Sequence, residues 1–422
     1  MRIFSEAVPY ASRATFHFDL RAAVPTGVFL GISSLLAMFI KKSLHAPDWQ
    51  VALLVSAPVA GHLFSFYWGY LCHRRRKMPF ILWPGLVSRG LYLGVGLFSN
   101  SLVLVILASL AWFIDCISFP PASAIYRLNY PGSHRYQAFG LVTLVRNLAI
   151  AGAGFAAGWV LSRSEWNYHW LFPLGGFVGI VGVLVFTRIK VRGERDLVQP
   201  PAEPVSFRMI LEPMARSLGL LFRDVPFGLY MLAQFIFSWF WLMTDPALIS
   251  RLNEMDVSWA QAGMVLVTIK SLAIMASLLL WGRILQRLGP FRGRVVTCSC
   301  VIVGLTLLAL AKTMPLIYVA QAVLGVAAAG GGLLWSLAQM HFGSEHDVPL
   351  YSGAHATLTG IRGITAPFAC AWFLTFMEPR QIFLLAVAGY SVTVVFLVIL
   401  LVFKLDEPRT GPTSPPPAPE IA

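Results

Sequence analysis

Long apolar stretches alternate with short polar turns along nearly the whole chain. A helix needs roughly 20 apolar residues to cross the hydrocarbon of a bilayer. Twelve stretches of about that length can be counted, and they predict twelve transmembrane helices, spans 1 to 12. Their approximate bounds are 22–40, 49–72, 79–98, 101–126, 138–161, 166–187, 226–247, 259–282, 292–312, 314–341, 352–376 and 380–403.

One long polar interruption divides these spans six and six. It is basic, and its Pro-rich segment is followed by apolar residues at helical spacing from Val205 to Phe222, which predicts an amphipathic helix at the cytoplasmic surface. The predicted organisation is a cytoplasmic N-terminal tail at 1–21, an N-terminal six-helix bundle at 22–187, the linker at 188–225, a C-terminal six-helix bundle at 226–403 and a disordered Pro-rich tail at 404–422.

Composition places the chain in a membrane. It is 57% hydrophobic and 12% charged with a mean hydropathy of +0.71, which would leave a soluble globule of 422 residues with too little polar surface. The net charge of +13 could point to nucleic acid, but the charges fall between apolar stretches instead of forming a basic face. We therefore expect an integral membrane protein in contact with lipids, and no nucleic-acid partner.

The basic residues also predict orientation. Short loops rich in Lys and Arg stay on the cytoplasmic side of a bilayer. The side of the membrane that holds Arg74 carries 22 Lys and Arg residues, and the opposite side carries 6. We expect both termini in the cytoplasm, and we expect the inner membrane of a bacterium as the location.

The two halves resemble each other at a shift of 210 to 216 residues. The matching pairs are Asp48-Trp49-Gln50 with Ser258-Trp259-Ala260, Trp68-Gly69 with Trp281-Gly282, and Thr143-Leu-Val-Arg146 with Thr359-Gly-Ile-Arg362. Any two polytopic halves share Trp at interfaces and Arg in cytoplasmic loops, which is the alternative explanation. Three matches in register favour a repeat.

This layout, over residues 20 to 404, resembles the major facilitator superfamily, whose loop signature is G-x-L-x-D-R-x-G-R-K. The first copy has Gly69, Leu71, Arg74 and Lys77 in place, and the second has Gly282, Ile284, Arg287 and Gly289. The resemblance implies an all-α membrane protein with twelve transmembrane helices in two pseudo-symmetric six-helix bundles. It also implies a monomeric secondary transporter that works by alternating access, without a cofactor.

Both copies of the loop lack the family's aspartate. His73 stands at that position in the first copy and Gln286 in the second. The resemblance implies that the loop holds one conformation by charge pairing, so these departures put that role in doubt. They support an alternative function, a transport-inactive homologue that acts as an assembly or sensing partner.

Ionisable side chains within the spans are the candidate transport residues, because each is costly in hydrocarbon. They are Arg89, Asp115, Arg146, Asp245, Lys270 and Arg362. In the fold that the resemblance implies, the spans holding Arg146, Lys270 and Arg362 surround one cavity. The sequence therefore predicts a small polar solute as substrate, with an anion preferred over a neutral sugar, since guanidinium groups bind carboxylate or phosphate bidentately.

The two acids within the spans have alternative roles. Asp115 and Arg146 lie at similar depths, so an ion pair between them is expected, with Arg89 as a competing partner. That pair can be purely structural or can belong to the transport path. Asp115 and Asp245 are also the acids available for energy coupling.

Protons are the candidate coupling ion for a symporter, and a uniporter is the other expected mode. His62 and His355 can titrate near neutral pH, although a lone histidine on an apolar helix is more often a packing residue. The sequence has no nucleotide-binding loop, no metal-ligand spacing and no grouped acids or nucleophile at an interface. We therefore expect a transporter and not an enzyme, with no metal and no cofactor.

Overall fold

The chain folds almost entirely into helices. The computed structural model describes residues 8–72, 75–194, 208–337, 342 and 348–404. In hydrocarbon, the backbone N–H groups of an apolar run can donate only to backbone carbonyls. A helix pairs these groups within one segment.

The N-terminal half contains spans 1 to 6. Span 1 is Arg13–Ser33 with Leu36–Lys42, span 2 is Asp48–Ala60 with Ser65–Cys72, span 3 is Pro79–Val95, span 4 is Ser101–Asp115 with Phe119–Asn129, span 5 is Gly132–Arg163, and span 6 is Tyr168–Phe186. Span 1 begins at Arg13 instead of residue 22, so its first turns lie in the segment that the sequence assigned to the tail.

The C-terminal half contains the linker helix and spans 7 to 12. The linker helix is Arg208–Arg223, span 7 is Val225–Glu254, spans 8 and 9 lie within Trp259–Gly263 and Ile269–Leu310, span 10 is Met314–Leu337, span 11 is Val348–Phe373, and span 12 is Pro379–Val402. Spans 8 and 9 are separated at Gly289, whose φ of 68° lies in the left-handed region that favours glycine. Pro290 follows and begins the new helix.

Eight helical stretches among the described residues are long and apolar enough to cross a membrane. One of them, Trp259–Leu310, has 52 residues and contains both span 8 and span 9. The predicted amphipathic segment 205–222 corresponds to the linker helix, whose Leu220 and Leu221 pack against the apolar cluster around Phe227. The predicted Pro-rich tail lies outside the described residues, apart from Lys404.

The antiparallel spans define two ends of the molecule. We call the end with residues 43–47, 96–100, 164–167, 255–258 and 311–313 the far end, and the end that carries the linker helix the linker end. Hydrogen bonds link the two halves at or toward the far end. Lys42 donates to Asp256 and to the Val257 carbonyl, Ser250 to Asp48, Trp259 to Glu165, Ala260 to Ser162, and Thr268 to the Ala151 carbonyl. The halves are therefore closed on each other at the far end.

Trp259 is central to this closure. Its indole Nε1–H donates to the Glu165 carboxylate at 2.8 Å, and its ring lies 6.0 Å from that of Phe39. The Lys42 ammonium lies 5.8 Å from the same indole. Lys42 also holds the pKa of the exposed Asp256 carboxyl below its ordinary value through a hydrogen bond.

Glycines bring the two halves into close contact at spans 5 and 8. A Cβ on Gly158 of span 5 would lie 2.6 Å from the Trp259 carbonyl oxygen, and one on Gly263 of span 8 would lie 2.6 Å from the Gly154 carbonyl oxygen. Spans 2 and 11 meet in the same way, since a Cβ on Gly360 would lie 2.5 Å from the Leu63 nitrogen. Small residues at these positions let the backbones approach.

Spans 2, 4 and 8 each contain an irregular turn. Span 2 has a 3₁₀ turn at Gly61–Phe64, span 4 has one at Cys116–Ser118, and span 8 has a π turn at Met264–Thr268. In span 4 the cause is clear, because Pro120 and Pro121 lack the N–H groups that an α-helix needs there. Such turns often mark hinges or functional sites in helices.

The close contact at Gly158 generates a stability prediction. In Gly158→Ala the new methyl would collide with the Trp259 backbone, so we expect a loss of about 1–3 kcal/mol in the free energy of unfolding. Gly152 of the same helix faces open space, so Gly152→Ala should be neutral or stabilising by about 0.5–1 kcal/mol. Thermal unfolding of both variants in detergent tests this, and equal melting temperatures would contradict the close packing of spans 5 and 8.

Candidate functional site

The buried arginine of span 3 pairs with the aspartate of span 4. An N–H of the Arg89 guanidinium donates to the Asp115 carboxylate, and the guanidinium also lies 4.8 Å from the ring centre of Phe29. The expected Asp115–Arg146 pair is therefore wrong, and the competing partner takes its place. Spans 3 and 4 pack directly against each other, whereas Arg146 belongs to span 5, which packs against span 1.

Arg146 has a different acid nearby. It interacts electrostatically with Asp19 of span 1, and its Nη2–H donates to Thr143 at 3.4 Å. Asp19 is buried and accepts hydrogen bonds from the hydroxyls of Tyr126 at 2.9 Å and Tyr130 at 3.4 Å. Arg146 thus interacts with an aspartate of its own half that the sequence placed in the tail, although no carboxylate lies within 4.0 Å of its guanidinium among the described residues.

Lys270 also lies beside an acid. Its ammonium is 4.0 Å from the Asp245 carboxylate and 4.9 Å from the ring centre of Trp241. These three side chains line a cavity of about 20 Å³ inside the C-terminal half, which is room for about one water molecule. Lys270 therefore has an acidic neighbour within the C-terminal half.

Two arginines lie buried side by side in the C-terminal half. Arg362 of span 11 is 1% exposed and Arg294 of span 9 is fully buried, and the two interact electrostatically. Gln234 of span 7 joins them, because its side-chain oxygen accepts from Arg294 and its backbone oxygen accepts from Arg362 at 3.5 Å. The Arg294 guanidinium also lies 4.2 Å from the ring centre of Phe237. We call Arg294, Arg362 and Gln234 the arginine site.

No acid balances the arginine site within the part of the chain that the structure describes. Neither guanidinium has a carboxylate within 4.0 Å among those residues. The Nε–H groups of both arginines and Nη1 of Arg294 are buried without a hydrogen-bond partner. Leaving a cation buried and unpaired costs several kcal/mol. These donors are therefore available to a negatively charged ligand.

Two histidines and two large rings adjoin this site. His62 of span 2 and His355 of span 11 both interact electrostatically with Arg362, and both ring nitrogens of His355 are buried without a partner. The Trp335 ring of span 10 lies 5.3 Å from His355 and 6.0 Å from His62. Phe119 of span 4 lies 5.1 Å from His62 and 6.0 Å from Trp335. We call His62, Phe119 and Trp335 the ring cluster, and it bridges the two halves.

The loop residues that match the signature have separate environments. Lys77 is buried, and its ammonium donates to the carbonyls of Cys72 at 2.6 Å and Arg75 at 2.9 Å, so it holds the turn between spans 2 and 3. Arg287 is exposed, and a Cβ on Gly69 or Gly282 would meet open space. Arg74 lies outside the described residues.

Arg294 was not among the predicted site residues, although it lies near the start of predicted span 9. It was counted with the 22 Lys and Arg residues on the side of the membrane that holds Arg74. The helical spacing of the sequence nevertheless indicates that Arg294 is buried. Arg294, Cys298, Val301 and Leu305 fall at intervals of three and four residues, and all four are buried in the structure. An arginine on the apolar stripe of a span is a stronger candidate than one that merely lies near its end.

Comparison with solved structures shows the fold. A point mutant of the nucleoside transporter NupG superposes with a TM-score of 0.71 at 13% identity, covering 92% of this chain and 99% of that one. A POT family transporter in complex with a thioalcohol-conjugated peptide also gives 0.71, at 12% identity and 95% and 99% coverage. A bacterial homologue of the human lysosomal transporter Spinster gives 0.62, at 14% identity and 93% and 96% coverage.

Sequence comparison gives the family. No curated protein sequence matches this chain. The sequence profile of the Major Facilitator Superfamily matches twice, at residues 22–266 and 230–421, so that each half of the chain carries its own match. The two six-helix halves, their internal repeat and these matches together make this chain an integral membrane protein of the Major Facilitator Superfamily.

Proposed function

We propose that this protein is a secondary active transporter that moves a small anionic solute across the membrane by alternating access. The observation that carries this proposal is the arginine site, where two buried guanidinium groups have unpaired N–H donors and no carboxylate within 4.0 Å among the described residues.

The chemistry of the site favours an anion over a neutral solute. A guanidinium presents its donors in a planar fork that matches carboxylate and phosphate oxygens. Lys270 has Asp245 within 4.0 Å and Arg89 has Asp115, so these two cations already have carboxylate partners. Arg146 interacts electrostatically with Asp19 and is only partly buried. The arginine site is the part of the described interior that a ligand's negative charge would stabilise most.

The position of the site suits transport between the two halves. Arg362 lies near the middle of span 11, and that span packs against span 2 of the other half. The far end is closed by hydrogen bonds, and the ring cluster joins the halves beside Arg362. With the linker end in the cytoplasm, as the Lys and Arg distribution predicts, the closed far end is the external one.

A transport-inactive partner protein is the second candidate, and His73 and Gln286 in place of the loop aspartates favour it. Such a protein would have no need for two buried guanidiniums without an acid, since apolar residues of similar size would be as stable or more stable. This cost favours transport.

The arginine site generates opposite expectations for binding and for stability. Arg362→Gln and Arg294→Gln should each weaken anion binding about 10- to 100-fold, because a hydrogen bond to a charged group contributes about 1.5–3 kcal/mol. Neither variant should lower the melting temperature of the ligand-free protein, since each removes a buried unpaired charge. Calorimetric titration with small organic anions, together with thermal unfolding, measures both quantities.

Lys270→Gln is the matched control, because it removes a cation that has an acidic neighbour. It should lower the melting temperature by leaving Asp245 without its cation, while anion affinity stays within about twofold of the wild type. If Lys270→Gln abolished binding while the two arginine variants bound normally, the arginine site would not be the binding site.

We also propose that His62 and His355 couple protons to the anion. Both interact electrostatically with Arg362, and His355 also with Arg294, so a proton on either imidazole adds a third positive charge to the site. A bound anion offsets this repulsion, so proton and anion favour each other's binding. An inward proton gradient should therefore drive anion accumulation in proteoliposomes.

The double variant His62→Gln/His355→Gln tests this coupling. It should still exchange anion down its own gradient but should no longer accumulate anion when only a proton gradient is imposed. Proton-driven accumulation at the wild-type level in this variant would show that the two histidines do not couple the transport.

A further inference from the structure

We infer that the transported anion carries a planar aromatic ring, which stacks in the ring cluster while its acidic group binds the arginine site. This inference rests on the proposed function, because it names the class of substrate for the same site. The ring cluster supports this inference, since the arginines alone do not distinguish an aromatic acid from an aliphatic one.

The three rings of the ring cluster form a triangle. The ring centres of His62 and Phe119 are 5.1 Å apart, and each lies 6.0 Å from that of Trp335. The planes meet at 88°, 61° and 66°, so the contacts are edge-to-face. Aromatic groups prefer this geometry or an offset stack, and a flat ligand can adopt either against the same side chains.

His62 and His355 connect the ring cluster with the guanidinium groups. His355 joins them, because its ring lies 5.3 Å from Trp335 and it interacts electrostatically with both Arg362 and Arg294. His62 belongs to the ring cluster and also interacts with Arg362. An acid with its ring among these side chains therefore has its charged group beside unpaired donors.

Backbone geometry holds the rings at this position. His62 lies within the 3₁₀ turn Gly61–Phe64, and Phe119 follows the 3₁₀ turn Cys116–Ser118. The two turns contact each other, since a Cβ on Gly61 would lie 2.4 Å from the Cys116 sulfur. Two helices have thus lost regular hydrogen bonding at the same depth, and both irregular turns present a ring toward span 10.

Phe119 has a surface that a ligand could cover. It is 45% exposed although it lies between the halves near the middle of span 4. An apolar ring at such a position is stabilised when a second flat ring covers it. An aromatic acid does this, whereas an inorganic anion or a short aliphatic acid leaves the ring as it is.

The test compares three acids on the purified full-length protein. Benzoate has a flat ring, cyclohexanecarboxylate has a saturated ring of similar size, and acetate has none. Calorimetric titration should show benzoate binding up to about tenfold more tightly than cyclohexanecarboxylate, and acetate binding most weakly. Equal affinity for benzoate and cyclohexanecarboxylate would overturn the inference and leave the proposed anion transport intact.

Substitutions show which side chains cause the preference for benzoate over cyclohexanecarboxylate. Phe119→Leu and Trp335→Leu should lose the discrimination between benzoate and cyclohexanecarboxylate while still binding both, and Trp335→Phe should retain part of it. Trp372→Leu is the control, because Trp372 is 62% exposed and contacts Phe373 and Phe376 on its own segment. Discrimination that survives in both leucine variants would overturn the inference, and absence of binding for all three acids in the wild type would overturn the proposed function as well.

Discussion

Two guanidinium groups, those of Arg294 and Arg362, lie buried in the C-terminal half without a carboxylate within 4.0 Å among the described residues. Two positive charges in a low-dielectric interior repel each other strongly, and each guanidinium has lost its hydration. Gln234 offsets part of this cost by accepting hydrogen bonds from both Arg294 and Arg362. Several donors nevertheless remain unpaired. The proposed anion would satisfy these unpaired N–H donors.

The two halves share a repeat but differ in the partners of their internal cations. In the N-terminal half, Arg89 pairs with Asp115, and Arg146 interacts electrostatically with Asp19. In the C-terminal half the counterpart of Arg146 is Arg362, and its neighbour is a second arginine. The N-terminal half contributes two of the three rings of the ring cluster, His62 and Phe119, and the C-terminal half contributes Trp335. Under the proposed function, a solute that contacts both the arginine site and the ring cluster spans the interface between the halves, as alternating access between two bundles requires.

Much of the fold could be predicted because hydrocarbon thickness sets the length of a span, and apolar runs in the sequence show that length directly. The partners of the charged residues could not be predicted, because they depend on which helix faces meet. Depth alone suggested Arg146 for Asp115, whereas packing of spans 3 and 4 selects Arg89. Arg294 was missed for a related reason, since its place five residues after the Gly289 break made it look like a loop residue.

The central claim is that an organic anion binds between Arg294 and Arg362. A crystal structure of the protein with 4-bromobenzoate tests it most directly, because anomalous scattering from bromine locates the ring independently of the carboxylate. The account predicts carboxylate oxygens within about 3 Å of both guanidinium groups, with the bromine on the side of Trp335. A ligand bound beside Lys270 and Asp245, or an arginine site whose donors are filled by a carboxylate of the chain itself, would contradict it.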